Sequence, residues 1–185
     1  MEYLANTLIS KETNIFWDLF DSRKVLDQYL IQFQLQNDKV ARPINYTHLK
    51  RPHFKNSSFD FNLSHKEKIG LVLAIVKGPY RIGIDLEDLS QKIDERLFYD
   101  NILNNDEKVL FRKNKLSIIF YWSIKEAFFK SIDQDFIPKA VSVCHVSSSN
   151  EVILEFKGAF YHGNYLIKGN KLITFVLSNR VCINE

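Results

Sequence analysis

The chain has 185 residues, of which 45% are hydrophobic and 25% charged, with 15 phenylalanines in an aromatic share of 14%. That is the balance of a soluble globular protein with a bulky core, long enough for one domain or two small halves packed as a unit. A formal net charge of only +3 suits an anionic small ligand or an acidic partner and is too weak to argue for a nucleic-acid coat.

Met1 to Ser10 has no basic segment followed by a long apolar run, so no signal peptide is expected. No stretch approaches the roughly 18 apolar residues that span a bilayer. Cys144 and Cys182 stand apart without metal-ligand spacing, so a disulfide framework is not expected and a reducing cytoplasm is the expected location.

From Ile15 to about Leu35, apolar residues such as Phe16, Leu19, Phe20, Leu26, Leu30 and Phe33 recur at helical spacing. They predict one or two helices, with Asp21 or Ser22 as a cap for the second. Asn37 to Ser58 is polar, contains Pro43 and Pro52, and reads as loop. The period then changes to two. Phe59, Phe61 and Leu63 alternate with Asp60, Asn62 and Ser64 in a half-buried strand, and the apolar run Ile69 to Val76 predicts a buried one. After Gly78-Pro79, Ile82, Ile84 and Leu86 form the apolar face of a third strand. Asp94 to Lys113 is helical with a break at Asn104-Asn105, and Leu116 to Ile132 is a stronger helix. The tail returns to strands at Val141–Val146, Val152–Phe156, Tyr165–Lys168 and Leu172–Leu177, with Gly158, Gly163 and Gly169-Asn170 as turn signals. The expected fold class is α+β, with long helices on antiparallel strands. The buried strands Ile69–Val76 and Leu172–Leu177 suggest two related halves.

Three segments carry chemistry. On the third strand Asp85 and Glu87 project to one side, and two such carboxylates gain from a shared hard cation such as Mg²⁺. Gly83 on that same face would leave space for a ligand to approach. Taken alone, the pair reads first as a solvated strand face with two acids. In Trp122-Ser123-Ile124-Lys125-Glu126-Ala127-Phe128-Phe129-Lys130, helical geometry sets Phe120, Ile124, Ala127 and Phe128 on a core side. Trp122, Glu126 and Lys130 share the other. The plain alternative there is an i,i+4 surface ion pair, which the aromatic bulk beside it disfavours. Asn62-Leu63-Ser64-His65-Lys66 offers hydrogen-bond donors and positive charge suited to phosphate oxygens, although a lone His65 also suits a strand end. Lys50-Arg51 before Pro52 is a rigid turn carrying cations, or a solvated basic loop.

In this order, Arg51-Pro52, Phe61-Asn62-Leu63-Ser64-His65, Gly83-Ile84-Asp85-Leu86-Glu87 and Trp122-x-x-Lys125-Glu126-Ala127-x-x-Lys130 resemble the motifs of the Sfp-type 4′-phosphopantetheinyl transferases. The match runs from Arg51 to about Val143. The resemblance implies a pseudo-dimer of two similar α+β halves, here residues 1–80 (shortened) and 81–185 (carrying the metal-binding residues), with coenzyme A in the cleft between them. It implies Asp85, Glu87 and Glu126 as Mg²⁺ ligands. His65 and Lys130 would contact coenzyme A phosphates with Ser64 nearby, Lys125 of the helix motif would join the coenzyme A contacts, and Arg51 would stand where a lysine holds the nucleotide end. Glu126, Lys130 and His65 would be the catalytic groups, with Glu126 taking the serine proton directly or through water. The implied reaction moves phosphopantetheine from coenzyme A to a serine of an acyl or peptidyl carrier protein, by a monomer that binds neither nucleic acid nor membrane.

The chain departs from the pattern at Lys66, where a small residue is usual, and at Arg51, which replaces lysine. Its part before Arg51 is short, and only Arg23 and Lys24 offer themselves as N-terminal phosphate-binding residues. Arg112, Lys113 and Lys115 are candidates for docking an acidic carrier, or a solvated helix end. The competing readings are a degenerate homologue that binds without transfer, a small basic nucleic-acid-binding protein, and a metal-dependent phosphate-ester hydrolase.

Overall fold

The computed structural model describes residues 6–9, 14–20, 23–37, 44–54, 57–67, 69–114 and 116–179. The first part of the chain forms β1 (Asn6–Ile9), β2 (Asn14–Phe20), α1 (Arg23–Asn37), β3 (Ile44–Tyr46), β4 (Pro52–Phe54), β5 (Phe59–Lys66) and β6 (Gly70–Lys77). Then come β7 (Tyr80–Asp88), α2 (Glu95–Ile102), α3 (Asn105–Asn114) and α4 (Ile118–Ile132). A short 3-10 turn (Pro138–Ala140) leads into β8 (Ser142–Val146), β9 (Glu151–Phe156), β10 (Ala159–Lys168) and β11 (Lys171–Asn179). The α+β expectation holds, with antiparallel pairing throughout the described strands.

One sheet has the order β1-β2-β6-β5 and the other β7-β11-β10-β9-β8. Between them lies an apolar layer of Ile15, Trp17, Val72, Ala74, Val76, Ile82, Ile84, Leu86, Ile173 and Phe175. Outside the first sheet, Leu26, Tyr29 and Leu30 of α1 pack on Phe59, Phe61, Leu73 and Ile75. Outside the second, Phe120, Ile124, Ala127 and Phe128 of α4 pack on Val152, Leu154, Leu172 and Val176. The layers therefore run helix, sheet, sheet, helix. All four residues assigned to the core side of α4 are buried.

Ile15 to Phe20 is strand rather than helix, a correction with a clear cause. Ile15 and Trp17 point into the layer between the sheets while Phe16 and Phe20 point to α1. Burial on both faces erases the two-residue alternation and leaves a run that resembles helical spacing. The proposed caps Asp21 and Ser22 lie outside the described residues. The polar stretch read as loop contains β3 and β4, paired from Ile44↔Phe54 to Tyr46↔Pro52. Gly163 is not a turn. It sits inside β10, where an added Cβ would lie 2.9 Å from Phe175 O and 3.1 Å from Ile124 Cδ1.

Gly83 is also occupied differently from expectation. A Cβ there would fall 1.7 Å from Ala127 O and 2.6 Å from Ser131 N. The space is filled by the backbone of α4, which lies directly against β7, and not by a ligand. That close approach sets the helix bearing Glu126 against the strand bearing Asp85 and Glu87.

The break between α2 and α3 is a reciprocal cap. Asn104 Oδ1 accepts from Glu107 N at 2.9 Å while Glu107 Oε2 accepts from Asn104 N at 2.9 Å. At its start α4 is capped by Ser117 and ends at Asp133 in the left-handed region. No helix among the described residues is long and apolar enough to cross a membrane.

Candidate active site

The strands β5 and β7 belong to different sheets, yet lie side by side and are joined by side chains. Ser64 Oγ donates to Asp85 Oδ1 at 2.9 Å, and the Lys66 ammonium pairs with Glu87 Oε2. Both pairs are 21 residues apart, so the strands run in the same direction past each other. Alternation on β5 sends Asn62, Ser64 and Lys66 toward β7 and Phe59, Phe61 and Leu63 toward α1. The polar face of the strand, expected to be half-solvated, is thus an internal seam.

Asp85 is 2% exposed and its carboxylate accepts three hydrogen bonds, two on Oδ1 and one on Oδ2. Oδ1 accepts from Ser64 and from Lys130 Nζ at 2.8 Å, and Oδ2 accepts from Ser123 Oγ at 2.8 Å. The hydroxyl of Ser123 lies 2.9 Å from Thr174 Oγ1, which extends the support to β11. Lys130 Nζ also pairs with Glu126 Oε1 at 2.9 Å. Ligand oxygens of Asp85, Glu87 and Glu126 all lie within 4.8 Å of one another. Three carboxylates face two ammoniums, those of Lys66 and Lys130, so one formal negative charge remains.

Burial pushes the Glu87 carboxyl above its ordinary value, Asp85 and Glu126 add to the rise, and Lys66 opposes it. Burial alone would lower the Lys130 ammonium, but the adjoining carboxylates of Asp85 and Glu126 prevail and hold it above the usual lysine value. Lys130 therefore remains a cation across neutral pH.

Trp122 and Glu126 stand between two cavities. One, about 310 Å³, is lined by Ser64, His65, Lys66, Asp85, Glu87 and Glu126 among others. The second, about 450 Å³, is bounded by Lys50, Pro52, Asn62, Phe129, Lys130 and Asp133. The loop wall of the larger cavity is clamped to the end of α4: Thr47 Oγ1 donates to Asp133 Oδ1 at 3.0 Å, and Arg51 Nε to Lys130 O at 3.0 Å.

Asp85, Glu87, Glu126, Lys130 and Ser64 are brought together as the sequence suggested. His65 reaches the rim of the smaller cavity, but it is exposed and alternation turns its ring to the face of β5 opposite Ser64 and Lys66. Arg51 is turned inward rather than held free for a nucleotide. Its guanidinium is bidentate on the Asp60 carboxylate and donates to Ile82 O at 2.9 Å, and the residue is 6% exposed. Lys125 is not at the site at all. Its ammonium lies in the core, where it donates to Glu107 Oε2 at 2.7 Å and to the carbonyls of Ile102 and Pro138 at 2.8 Å. Burial draws its pKa below the ordinary value, and Glu107 pulls the other way. On the helical wheel Lys125 falls between Phe128 and Phe129, with Trp122 as near as Phe128, and the buried Glu107 carboxylate holds its ammonium in the core.

Lys66, read in the sequence as a cation for phosphate oxygens, is engaged instead with the Glu87 carboxylate. One residue of the site escaped sequence reasoning. Ser123, one turn before Glu126, carried no signal except that a buried Asp85 requires donors. Arg23 pairs with Asp27 on the outer face of α1, and Arg112 and Lys113 are exposed on α3. Lys115 and Cys182 lie outside the described residues, and Cys144 is an exposed free thiol.

Hard oxygen ligands from two or three carboxylates suit a small divalent cation, and ligands across Mg²⁺ stand about 4.2 Å apart at about 2.1 Å each. Neighbouring ligands on the same ion stand about 3 Å apart, so the three acids, whose oxygens lie within 4.8 Å of one another, would close in on an ion, Glu126 as the most exposed of them moving most readily. A family model described as the 4′-phosphopantetheinyl transferase superfamily matches residues 81–175, just over half of the chain. A search of curated proteins finds no significant match.

Proposed function

Because the chain belongs to the 4′-phosphopantetheinyl transferase superfamily, whose members are transferases of the phosphopantetheinyl type, we propose that it moves the phosphopantetheine arm of coenzyme A to a serine of an apo acyl or peptidyl carrier protein. The observation that carries this reading is the convergence of the Asp85, Glu87 and Glu126 carboxylates beside Lys130, between two adjoining cavities. Residues 1–80 and 81–185 are read as the two halves of a pseudo-dimer acting as a single chain, with the substrate cleft at their seam.

In this proposal the serine oxygen attacks the β-phosphorus of coenzyme A. The bond from that phosphorus to the bridging oxygen breaks, and 3′,5′-adenosine bisphosphate leaves with the bond's electron pair. Asp85, Glu87 and Glu126 would hold Mg²⁺, which supplies neutralisation of the charge that develops on the diphosphate. Lys130 adds a cation fixed in position, and its charge survives at neutral pH because its neighbours are anionic. His65, at the rim, offers a donor to the phosphate oxygens, while the Ser64 hydroxyl is spent on Asp85 and helps to fix that carboxylate. Glu126 is the accessible carboxylate and takes the serine proton. Lys125 acts as an internal support, whereas Arg51 lines the larger cavity with its guanidinium held by Asp60.

The test is to incubate the protein with coenzyme A, Mg²⁺ and an apo carrier protein and to weigh the carrier by mass spectrometry. Addition of one phosphopantetheine group, abolished by a chelator, is the expected result. An unchanged carrier mass with acyl and peptidyl carriers alike would refute transfer, and release of inorganic phosphate would identify a hydrolase.

A further inference from the structure

Ser64 and Lys66 occupy equivalent places on β5, each reaching a carboxylate of β7, but they differ in charge. Ser64 gives Asp85 a neutral hydrogen bond at 2.9 Å. Lys66 gives Glu87 a full positive charge, delivered from the neighbouring sheet rather than from α4. The Lys66 side chain is 33% exposed against 10% for Glu87, so the ammonium sits at the mouth of the smaller cavity and covers an acid buried behind it. Such a charge-assisted contact competes with a divalent ion for the same carboxylate.

We propose that Lys66 is a resident counter-cation of the acidic cluster, which competes with an incoming divalent ion for Glu87, so that Lys66 holds the affinity of the free protein for that ion low. This inference rests on the metal-site reading above and assigns Lys66 a positioning role. Once displaced, its ammonium remains tethered by β5 at the cavity mouth. A cation left there would favour the ion arriving together with an anionic diphosphate over the ion alone.

The experiment measures Mn²⁺ binding alone, by calorimetry or by the loss of the free-ion paramagnetic resonance signal. It uses the unaltered protein, Lys66→Gln, Lys66→Ser and Lys66→Arg, each verified as folded by circular dichroism. Removing the charge should tighten binding by about tenfold, the equivalent of about 1.4 kcal/mol, in both neutral variants. Lys66→Arg should keep the weak affinity, because it restores the charge but not the shape. Equal affinity in all four proteins, or tightening in Lys66→Arg as well, overturns the role of Lys66 while leaving the metal site in place. Absence of binding in all four overturns the metal-site reading itself.

Discussion

Glu126→Gln should leave the protein folded and slow phosphopantetheine transfer by about a thousandfold, within the range of about 10²–10⁴ ascribed to a positioned acid–base group. The side chain is 28% exposed and Lys130 is its ion-pair partner, so the amide orphans no buried group. Chemistry suffers at two points, since the amide neither accepts the serine proton nor offers an anionic ligand. Asp85→Asn should lose transfer to a similar degree but is a less clean experiment. Asp85 is buried and holds Ser64, Ser123 and Lys130 together, so that variant will also lose stability. Steady-state transfer rates, with thermal melts of the same preparations, separate the two effects. Transfer by Glu126→Gln within about twofold of the unaltered protein would remove Glu126 from the reaction.

Lys125→Met should lower stability by about 3–5 kcal/mol, read as a shift in the urea midpoint, because it strands a buried Glu107 carboxylate without its cation. Glu107 is a hub: it accepts from Asn104 N, from Lys125 and from Val143 N at 2.7 Å. Glu107→Leu should cost a comparable amount, since those donors and a buried ammonium lose their acceptor. The double variant Glu107→Leu/Lys125→Met should recover part of the loss, as replacement of a whole buried pair by apolar groups often does. If Lys125 instead served coenzyme A, Lys125→Met would raise the KM for coenzyme A and move the urea midpoint little.

The outcome for Lys125 shows where sequence reasoning stops. A motif indicates that a residue matters, whereas its partner decides which side it serves; Lys125 stands one step from Glu126, and Glu107 holds its ammonium in the core. Arg51 makes the same point. Before Pro52 it reads as a free cation, yet Asp60, the polar member of the next strand, is the partner that draws it inside. That pairing spans two strands and has no local signature. Gly83 reads in the sequence as space for a ligand, and only tertiary packing reveals that the backbone of α4 fills it.

Other features were legible because they are local. The Asn104–Glu107 cap breaks α2 from α3 within four residues, and Asp94 and Ser117 cap their helices through their own side chains. The i,i+2 relation of Asp85 and Glu87 and the i,i+4 relation of Glu126 and Lys130 follow from strand and helix geometry alone. Their convergence does not. It depends on the bare backbone at Gly83, on Ser123 beneath Asp85, and on β5 and β7 meeting through side chains across two sheets.

That convergence is tested most directly by crystals grown with Mn²⁺ and coenzyme A, using the anomalous signal of the metal. A single peak is expected at the seam of β5 and β7 beside α4, coordinated by oxygens of Asp85, Glu87 and Glu126, with the diphosphate completing its shell. A bound coenzyme A with no metal at those three side chains, or with metal held elsewhere, would contradict the account.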